Sequence, residues 1–188
     1  MVEGGDFASV IAGARSGEEW AVTALFRDLQ PRLLRYLRAQ ESRVADDLAA
    51  EVWLAVAQGI GGFSGDEKGF RAWVFTIARR RVIEHRRKGA RRRTDVTPAA
   101  TFSDMAAAAP LPDLQVIEAL SGQEAAALIA SLLNEDQAEV VLLRVLGDLD
   151  VDQVAEITGK TPNWVRVTQH RALRKLADRL GPRVDVMR

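Results

Sequence analysis

The 188-residue sequence has no cysteine, only two histidines and a single tyrosine. Without cysteine the chain forms no disulfide and offers no thiolate for a metal site or a redox sensor. It has no apolar run near the roughly 20 residues of a membrane span, and its start, MVEGGDFASV, lacks the basic and then apolar order of a secretion signal. These absences predict a soluble, cytoplasmic protein without membrane insertion.

The chain also has no net charge, but its 26 basic and 26 acidic side chains are concentrated in different segments of the sequence. Residues 1–70 carry 7 basic against 11 acidic side chains, and residues 71–93 carry 10 against 1. Residues 94–160 carry 2 against 12, and residues 161–188 carry 7 against 2. Two basic blocks separated by an acidic one predict two separate contacts with polyanions.

Helical periodicity occupies both ends of the chain, and strand-like alternation is not sustained anywhere. Thr94–Leu114 holds three prolines and no amphipathic period, so we expect a linker there. The predicted helices are Glu18–Gln40 with a break or kink at Pro31, Arg43–Gln58, Lys68–Lys88, Gln123–Leu133, Glu135–Leu146, Val151–Thr158 and Pro162–Leu180. The predicted fold class is all-α, with two small helical domains joined by a flexible linker.

The segment VDQVAEITGKTPNWVRVTQHRALRKL, residues 151–176, has the pattern of a helix-turn-helix. Gly159 permits a left-handed turn, Thr161 can cap the second helix, and Pro162 suits its first position. One face of that helix is mainly apolar, and the other carries Asn163, Arg166, Val167, His170 and Arg174. Such side chains read base edges in a major groove, while Arg171, Arg174 and Lys175 suit phosphates and Trp164 lies on the flank. The alternative is a helical hairpin with a solvated basic face.

A second basic pattern is FRAWVFTIARRRVIEHRRKGARRR, residues 70–93. Phe70, Trp73, Val74, Ile77 and Ala78 project to one face, which predicts a buried stripe. The opposite face carries Thr76, Arg79, Arg80, Ile83, Arg86 and Arg87. Arginines so arranged bind phosphates, and nearby aromatic rings can stack on single-stranded bases. We expect Trp73 in the core rather than on a base, and Arg91–Arg93 to attract phosphate without specificity or to form a solvated tail.

Two neighbouring segments add further candidates. The stretch Gly59–Gly69 holds five glycines and Phe63, an aromatic side chain predicted to be exposed. It could close round an extruded base, or it is a flexible connector. In DDLAAEVWLAVAQ, residues 46–58, the exposed face combines Asp47 and Glu51 with Leu54, a mixture that suits a protein partner. Alternatively, Asp46 and Asp47 merely stabilise a helix start.

Together, DDLAAEVWLAV, FRAWVFTIARRRVIEHRRK and the helix-turn-helix, in this order and with a linker between, resemble the extracytoplasmic-function (ECF) sigma factors of bacterial RNA polymerase. The resemblance covers nearly the whole chain. It implies a promoter-specificity subunit that is not an enzyme and needs no cofactor or metal. Region 2 would lie at residues 15–93, the linker at 94–117 and region 4 at 118–181. The acidic linker would thread into the RNA-exit path of the polymerase.

The resemblance also implies partners and residue roles. Asp47, Glu51 and Leu54 would meet the clamp helices of the polymerase beta-prime subunit, region 4 would meet the beta flap, and an anti-sigma factor would mask these surfaces. Residues for the −10 promoter element would be Phe63, Ser64, Arg79, Arg80, Ile83, Arg86 and Arg87. Residues for the −35 element would be Asn163, Trp164, Arg166, Val167, His170, Arg171 and Arg174.

The chain departs from the family pattern at Trp164, Val167 and Thr168, where small or basic residues are common, and at Gln169, where an apolar residue is common. Two other functions compete with the sigma factor interpretation. A DNA-binding response regulator or repressor would use the N-terminal block only to dimerise, so Asp47, Glu51 and Arg79–Arg87 would be dispensable for promoter opening. A nuclease could hold magnesium on Asp46, Asp47 and Glu51, but the two histidines lie in different predicted domains and no nucleophile with a base is evident.

Overall fold

A computed structural model describes residues 7–94, 129 and 131–180, and every regular element in these ranges is helical. The elements are α1 Phe7–Arg15, α2 Glu19–Glu41, α3 Ala45–Gly59, a 3₁₀ turn Ile60–Gly62, α4 Glu67–Thr94, α5 Glu135–Val145, α6 Val151–Thr158 and α7 Pro162–Leu180. The all-α prediction with two helical bodies is therefore confirmed. Within the described ranges, no helix combines the length and apolar character needed to cross a bilayer.

Helices α1–α4 form the N-terminal body. Along α2, leucines recur at every fourth position and are buried, because side chains four residues apart share one face of a helix. They pack with the buried residues of α3 and with Phe75 of α4, whose ring meets Tyr36 edge-on at 5.4 Å between centroids. The core of this body is thus built from continuous stripes of apolar side chains along the helices rather than from isolated contacts.

The break predicted as one outcome at Pro31 is wrong, since α2 continues from Glu19 to Glu41 as one helix. Proline removes one backbone donor and crowds the preceding turn. Here Leu29 and Leu33, on either side of the proline, are both almost fully buried, and their packing stabilises the helix across this position. Helix α1 was not predicted; it places Val10 and Ile11 in the core, and the ring centroid of Phe7 lies 6.0 Å from that of Phe70.

Helices α5–α7 form the C-terminal body, and their boundaries follow from local capping. Asn134 and Asp150 each form a capping box, with Gln137 and Gln153 respectively, at the start of α5 and α6. Helix α6 ends at Gly159, which has the left-handed backbone (φ 69°) that the glycine predicts. The predicted linker and most of the predicted helix Gln123–Leu133 lie outside the described residues.

Candidate nucleic-acid interfaces

The apolar face of α4 lies against the N-terminal core. Phe70, Val74 and Ala78 are buried as the projection predicts, and Trp73 and Ile77 are partly buried. The buried face is wider than predicted because it also includes Phe75 and Val82. This packing orients the remaining surface of α4, with its arginines, away from the N-terminal core.

These arginines do not form the uniform exposed row that the sequence predicts. Arg80 and Arg87 are exposed, whereas Arg79, Ile83 and Arg86 are only partly exposed. Arg80 pairs with Glu84 on its own helix at 3.0 Å, an arrangement that lowers the pKa of Glu84. Residues spaced i and i+4 on a helix face one another, so this pair is local.

Arg79 and Arg86 instead contact acidic side chains from other helices. Arg79 donates from Nε and Nη2 to both carboxylate oxygens of Glu139 in α5, at 2.8 and 3.3 Å. Burial opposes the charge of Arg79, but the hydrogen bond and charge of Glu139 outweigh it and raise the pKa of Arg79. Arg86 pairs with Glu41 at 2.6 Å and with Glu135 of α5. Sequence periodicity contains no information about these partners.

The glycine-rich segment is a compact loop with an aromatic cluster beneath it. The ring of Phe63 stacks on Trp73 at 5.4 Å and meets Phe70 edge-on at 5.3 Å. Phe63 is therefore partly buried, and the expectation of an exposed ring is wrong for this conformation. Trp73 approaches Gly59 so closely that a Cβ there would lie 2.8 Å from the indole, which explains the glycine at that position.

Arg15, the last residue of α1, holds this loop in place. Arg15 donates to the backbone oxygen of Ile60 at 3.3 Å and to that of Phe63. Ser64 beside it is exposed. The structure thus brings Phe63 and Trp73 together as one stacked pair, close to the start of the arginine-bearing helix.

Helix α3 presents the face predicted for a protein partner. Leu48, Val52 and Val56 are buried, while Asp47, Glu51 and Leu54 are exposed on the opposite side. Leu54 is 60% exposed, so this large apolar side chain is available for contact with another molecule. Glu51 also lies 3.7 Å from Arg81, so this surface continues onto α4.

Helix α7 divides into the two predicted faces. Val165, Ala172 and Leu176 are buried, and Thr168 joins them although the projection did not place it there. The candidate base-reading and phosphate-binding side chains are all exposed: Asn163, Arg166, Val167, His170, Arg171 and Arg174. This exposure satisfies the steric requirement for entering a groove.

Three details at this helix answer questions raised by the sequence. Thr161 Oγ1 accepts a hydrogen bond from the backbone of Trp164 at 3.2 Å, as expected of a cap. Lys160 Nζ lies 5.2 Å from the centre of the Trp164 ring, so the indole is covered on one face by a cation. Gln169 accepts from Arg144 of α5 at 3.1 Å, which explains a polar residue on the packed side of the helix.

The structure gives no support to the magnesium arrangement considered for a nuclease. Asp46 is paired with Arg38 at 3.4 Å. Across residues 7–94, 129 and 131–180, no group of three or more acidic or histidine side chains is placed to hold a metal ion.

Comparison with known protein families assigns both helical bodies. Residues 25–92 match the family described as Sigma-70 region 2, and residues 123–176 match the one described as Sigma-70, region 4. The chain is 31% identical over 185 residues to the ECF RNA polymerase sigma factor SigD of Mycobacterium tuberculosis, covering 95% of this chain and 86% of SigD. It is 34% identical over 172 residues to the ECF sigma factor BldN of Streptomyces coelicolor, covering 63% of that protein.

Solved structures show the same fold. The sigma factor RpoE of Bartonella quintana, in complex with the anti-sigma factor NepR, superposes with a TM-score of 0.63 at 20% identity, over 86% of this chain and 98% of that one. CnrH, in complex with the cytosolic domain of CnrY, superposes with a TM-score of 0.59 at 18% identity, over 90% of this chain and 94% of CnrH.

Proposed function

The chain belongs to the ECF sigma factors, which direct transcription initiation by bacterial RNA polymerase and are not enzymes, and we propose how its surfaces divide that work. The N-terminal body binds core polymerase through α3 and the −10 element through α4 and its preceding loop. The C-terminal body binds the −35 element through α7. The observation that carries this proposal is the presence of a basic, exposed helix surface on each of two bodies.

For the −10 element, the proposed surface comprises the loop residues Phe63 and Ser64 and a set of side chains on α4: Arg79, Arg80, Ile83, Arg86 and Arg87. Arginines supply phosphate contacts whose strength comes largely from counterion release. The stacked pair of Phe63 and Trp73 offers aromatic faces to an unstacked base once the loop moves. Stacking worth about 1–3 kcal/mol per base can offset unpairing costs of a few kcal/mol, so promoter opening needs no catalytic residue.

For the −35 element, α7 presents base-reading and phosphate-binding side chains on one exposed face. Arg166 and Asn163 have the chemistry to recognise guanine and adenine respectively, and Val167 can contact a thymine methyl group. Trp164, His170, Arg171 and Arg174 complete the proposed surface. The buried opposite face of α7 fixes the direction in which these side chains project.

For protein partners, we assign the exposed α3 surface of Asp47, Glu51 and Leu54 to the clamp helices of the polymerase beta-prime subunit, and the C-terminal body to the beta flap. An anti-sigma factor is a further proposed partner, since the fold matches sigma factors solved with such inhibitors. An apolar groove of about 420 Å³, lined by Val22, Phe26 and Trp53 among others, lies between α2 and α3 and offers such a partner a docking surface. With core polymerase and promoter DNA as its proposed partners, the protein is proposed to act in the cytoplasm.

Run-off transcription with purified core polymerase tests the assignment. We expect promoter-dependent transcripts only when this protein is added. Replacing the exposed Arg80 and Arg87 together with alanine should reduce open-complex formation at least tenfold while leaving polymerase binding nearly unchanged, because both side chains project to solvent from α4. Permanganate footprinting measures opening, and fluorescence anisotropy with labelled protein measures polymerase binding.

A matched control replaces Arg27 and Arg43, two exposed arginines outside the proposed DNA surface, and should leave opening intact. Equal losses of opening and polymerase binding in the Arg80 and Arg87 variant would refute the −10 assignment. Duplex DNA binding by the protein alone, with no transcript from any promoter tested, would favour the repressor.

A further inference from the structure

Several ion pairs join arginines of the first helical body to acids of the second. Glu139 and Glu135 of α5 bind Arg79 and Arg86 of α4. A second contact lies at the start of α4, where Asp148 binds Arg71. These acids belong to the negative block of the sequence, and the arginines belong to the most basic one.

The Glu139 contact has the geometry with which arginine binds phosphate. Both oxygens of the carboxylate accept from the guanidinium of Arg79, and two parallel hydrogen bonds of this kind are also the usual arginine–phosphate arrangement. The pair is well shielded, because the side chains of Arg79 and Glu139 are only 26% and 18% exposed. A DNA phosphate and the Glu139 carboxylate therefore cannot occupy this position together.

The second contact depends on an unusual turn between α5 and α6. Asp148 has a positive φ of 50°, a conformation that aspartate tolerates better than most residues. The preceding residue must be glycine, because a Cβ at Gly147 would lie 2.5 Å from the backbone oxygen of Leu143. This turn directs Asp148 to Arg71, and nearby Gln153 donates to the backbone oxygen of Lys68 at 3.1 Å.

Apolar contact accompanies these ion pairs, since the buried apolar side chains of the two bodies form one cluster. An open groove of about 300 Å³ runs along the contact, lined by Gln40, Arg86, Glu135, Leu142 and others. The Glu135 side chain, which is 78% exposed, is accessible to solvent. Salt screens ion pairs that solvent can reach, so we expect salt to weaken this part of the contact.

We propose that Glu135 and Glu139 compete with promoter phosphates for Arg86 and Arg79, so that docking of the C-terminal body inhibits −10 binding in the free protein. This inference rests on the proposed −10 role of α4. Opening of the contact releases Arg79 and frees Arg86 from Glu135, while Arg86 keeps its contacts with Glu41 and Gln40 of α2. Arg80 and Arg87 remain exposed throughout. Promoter or polymerase binding would stabilise the open state.

The absence of native cysteine permits a direct test of docking. Cysteines introduced at the exposed, uncharged Ala12 and Ala177 would carry a donor and an acceptor dye, one on each body. We expect high energy transfer at low salt that falls in the double variant Glu135→Gln and Glu139→Gln, which removes both charges and keeps the side-chain shapes. The matched control Glu156→Gln, an exposed acid of the same body, should leave transfer unchanged.

The same proteins are then titrated with a fluorescent single-stranded −10 oligonucleotide, without polymerase. The Glu135 and Glu139 variant should bind it roughly tenfold or more tightly, because an open state populated at about 10% or less weakens apparent affinity by that factor. Unchanged oligonucleotide affinity despite lost transfer would overturn the inhibition. Unchanged energy transfer in this variant would refute the docking contact itself.

A charge exchange separates docking from DNA binding. Arg79→Glu and Glu139→Arg should each lower energy transfer, and the double exchange should restore it by reversing the pair. Oligonucleotide binding should remain weak in both proteins that carry Arg79→Glu. Restoring the docked contact is not expected to restore oligonucleotide binding. Full oligonucleotide binding by these proteins would refute the −10 role of Arg79, and with it the inference. Failure of the exchange to restore transfer would refute the Arg79–Glu139 contact.

Discussion

At the scale of single residues, the environment of Tyr36 is the most unusual ionisable site among the described residues. Its side chain is completely buried, and burial raises the pKa of the phenol strongly. Glu139 also opposes the phenolate, while Arg79 and Arg86 favour it to a smaller extent. The charged groups of the contact between the bodies therefore surround a neutral hydroxyl group.

Tyr36 is the only tyrosine, so phenolate absorbance reports on it alone. In the urea-unfolded chain the phenol of Tyr36 should titrate at a pH of about 10. At that pH we expect no phenolate in the folded protein. Because the folded pKa is raised, this group's contribution to stability is complete below the unfolded pKa and is lost as pH rises through the folded pKa. Identical midpoints in folded and unfolded protein would contradict the burial argument.

Arg166 offers a second prediction for a single residue. Replacing Arg166 with alanine should cost roughly 1–3 kcal/mol in holoenzyme binding and relax the preference at one position of the −35 element. Arg174→Ala serves as the comparison, since loss of a phosphate contact weakens all sequences alike. Competition among promoters with single substitutions measures both effects. A uniform loss for Arg166→Ala would identify it as a phosphate contact instead.

At the scale of helices, capping determines where the elements of the C-terminal body begin. In each capping box the side chain of the cap accepts from a backbone amide, and a glutamine three residues later accepts from the amide of the cap. The first four amides of a helix otherwise lack partners within it. Short helices depend strongly on such bonds, and α6 has only 8 residues.

Replacing Asp150 with alanine should therefore lower the free energy of unfolding by about 0.5–2 kcal/mol. Urea unfolding followed by circular dichroism measures the change. The control Asp152→Ala alters an exposed acid in the first turn of the same helix and should cost less, about 0.3–1 kcal/mol from the helix dipole. Equal costs for the two variants would mean that the cap bond contributes nothing beyond charge.

At the scale of the whole molecule, docking of the C-terminal body affects the two proposed surfaces of the N-terminal body differently. The α3 surface stays exposed while the C-terminal body is docked, whereas Arg79 and Arg86 are occupied. If α3 binds polymerase as proposed, that binding would not require the bodies to separate. DNA binding at −10 would follow that separation.

Leu54 tests the polymerase surface within the complete holoenzyme. Leu54→Asp should change the free energy of unfolding by no more than about 0.5 kcal/mol, since the side chain is exposed. It should weaken binding to core polymerase at least tenfold, or roughly 1.4 kcal/mol. Trp20→Asp, an exposed apolar position at 53% on the same body but outside the α3 surface, is the matched control. Equal losses would argue against a specific role for α3.

Much of the fold follows from local patterns, and the failures have local causes too. Helices α6 and α7 begin and end as predicted, because Asp150, Gly159 and Pro162 mark their boundaries through short-range chemistry. The break at Pro31 was wrong because tertiary burial of the neighbouring leucines outweighs an unfavourable propensity. Helix α1 was missed because 9 residues give too short a helical period to stand out, and a helix of this length depends on tertiary packing, here chiefly on α2.

By itself, the sequence determined the all-α class, the helix-turn-helix, the two basic blocks and the exposed faces of α3 and α7, since these depend on periodicity and capping over a few residues. Only the tertiary structure decided which arginines of α4 are available. Arg79 meets Glu139 across 60 positions of chain, and no local pattern encodes a pairing at that separation. The charge blocks predict attraction between the basic and the acidic segments, whereas the packing of the helices determines which side chains pair.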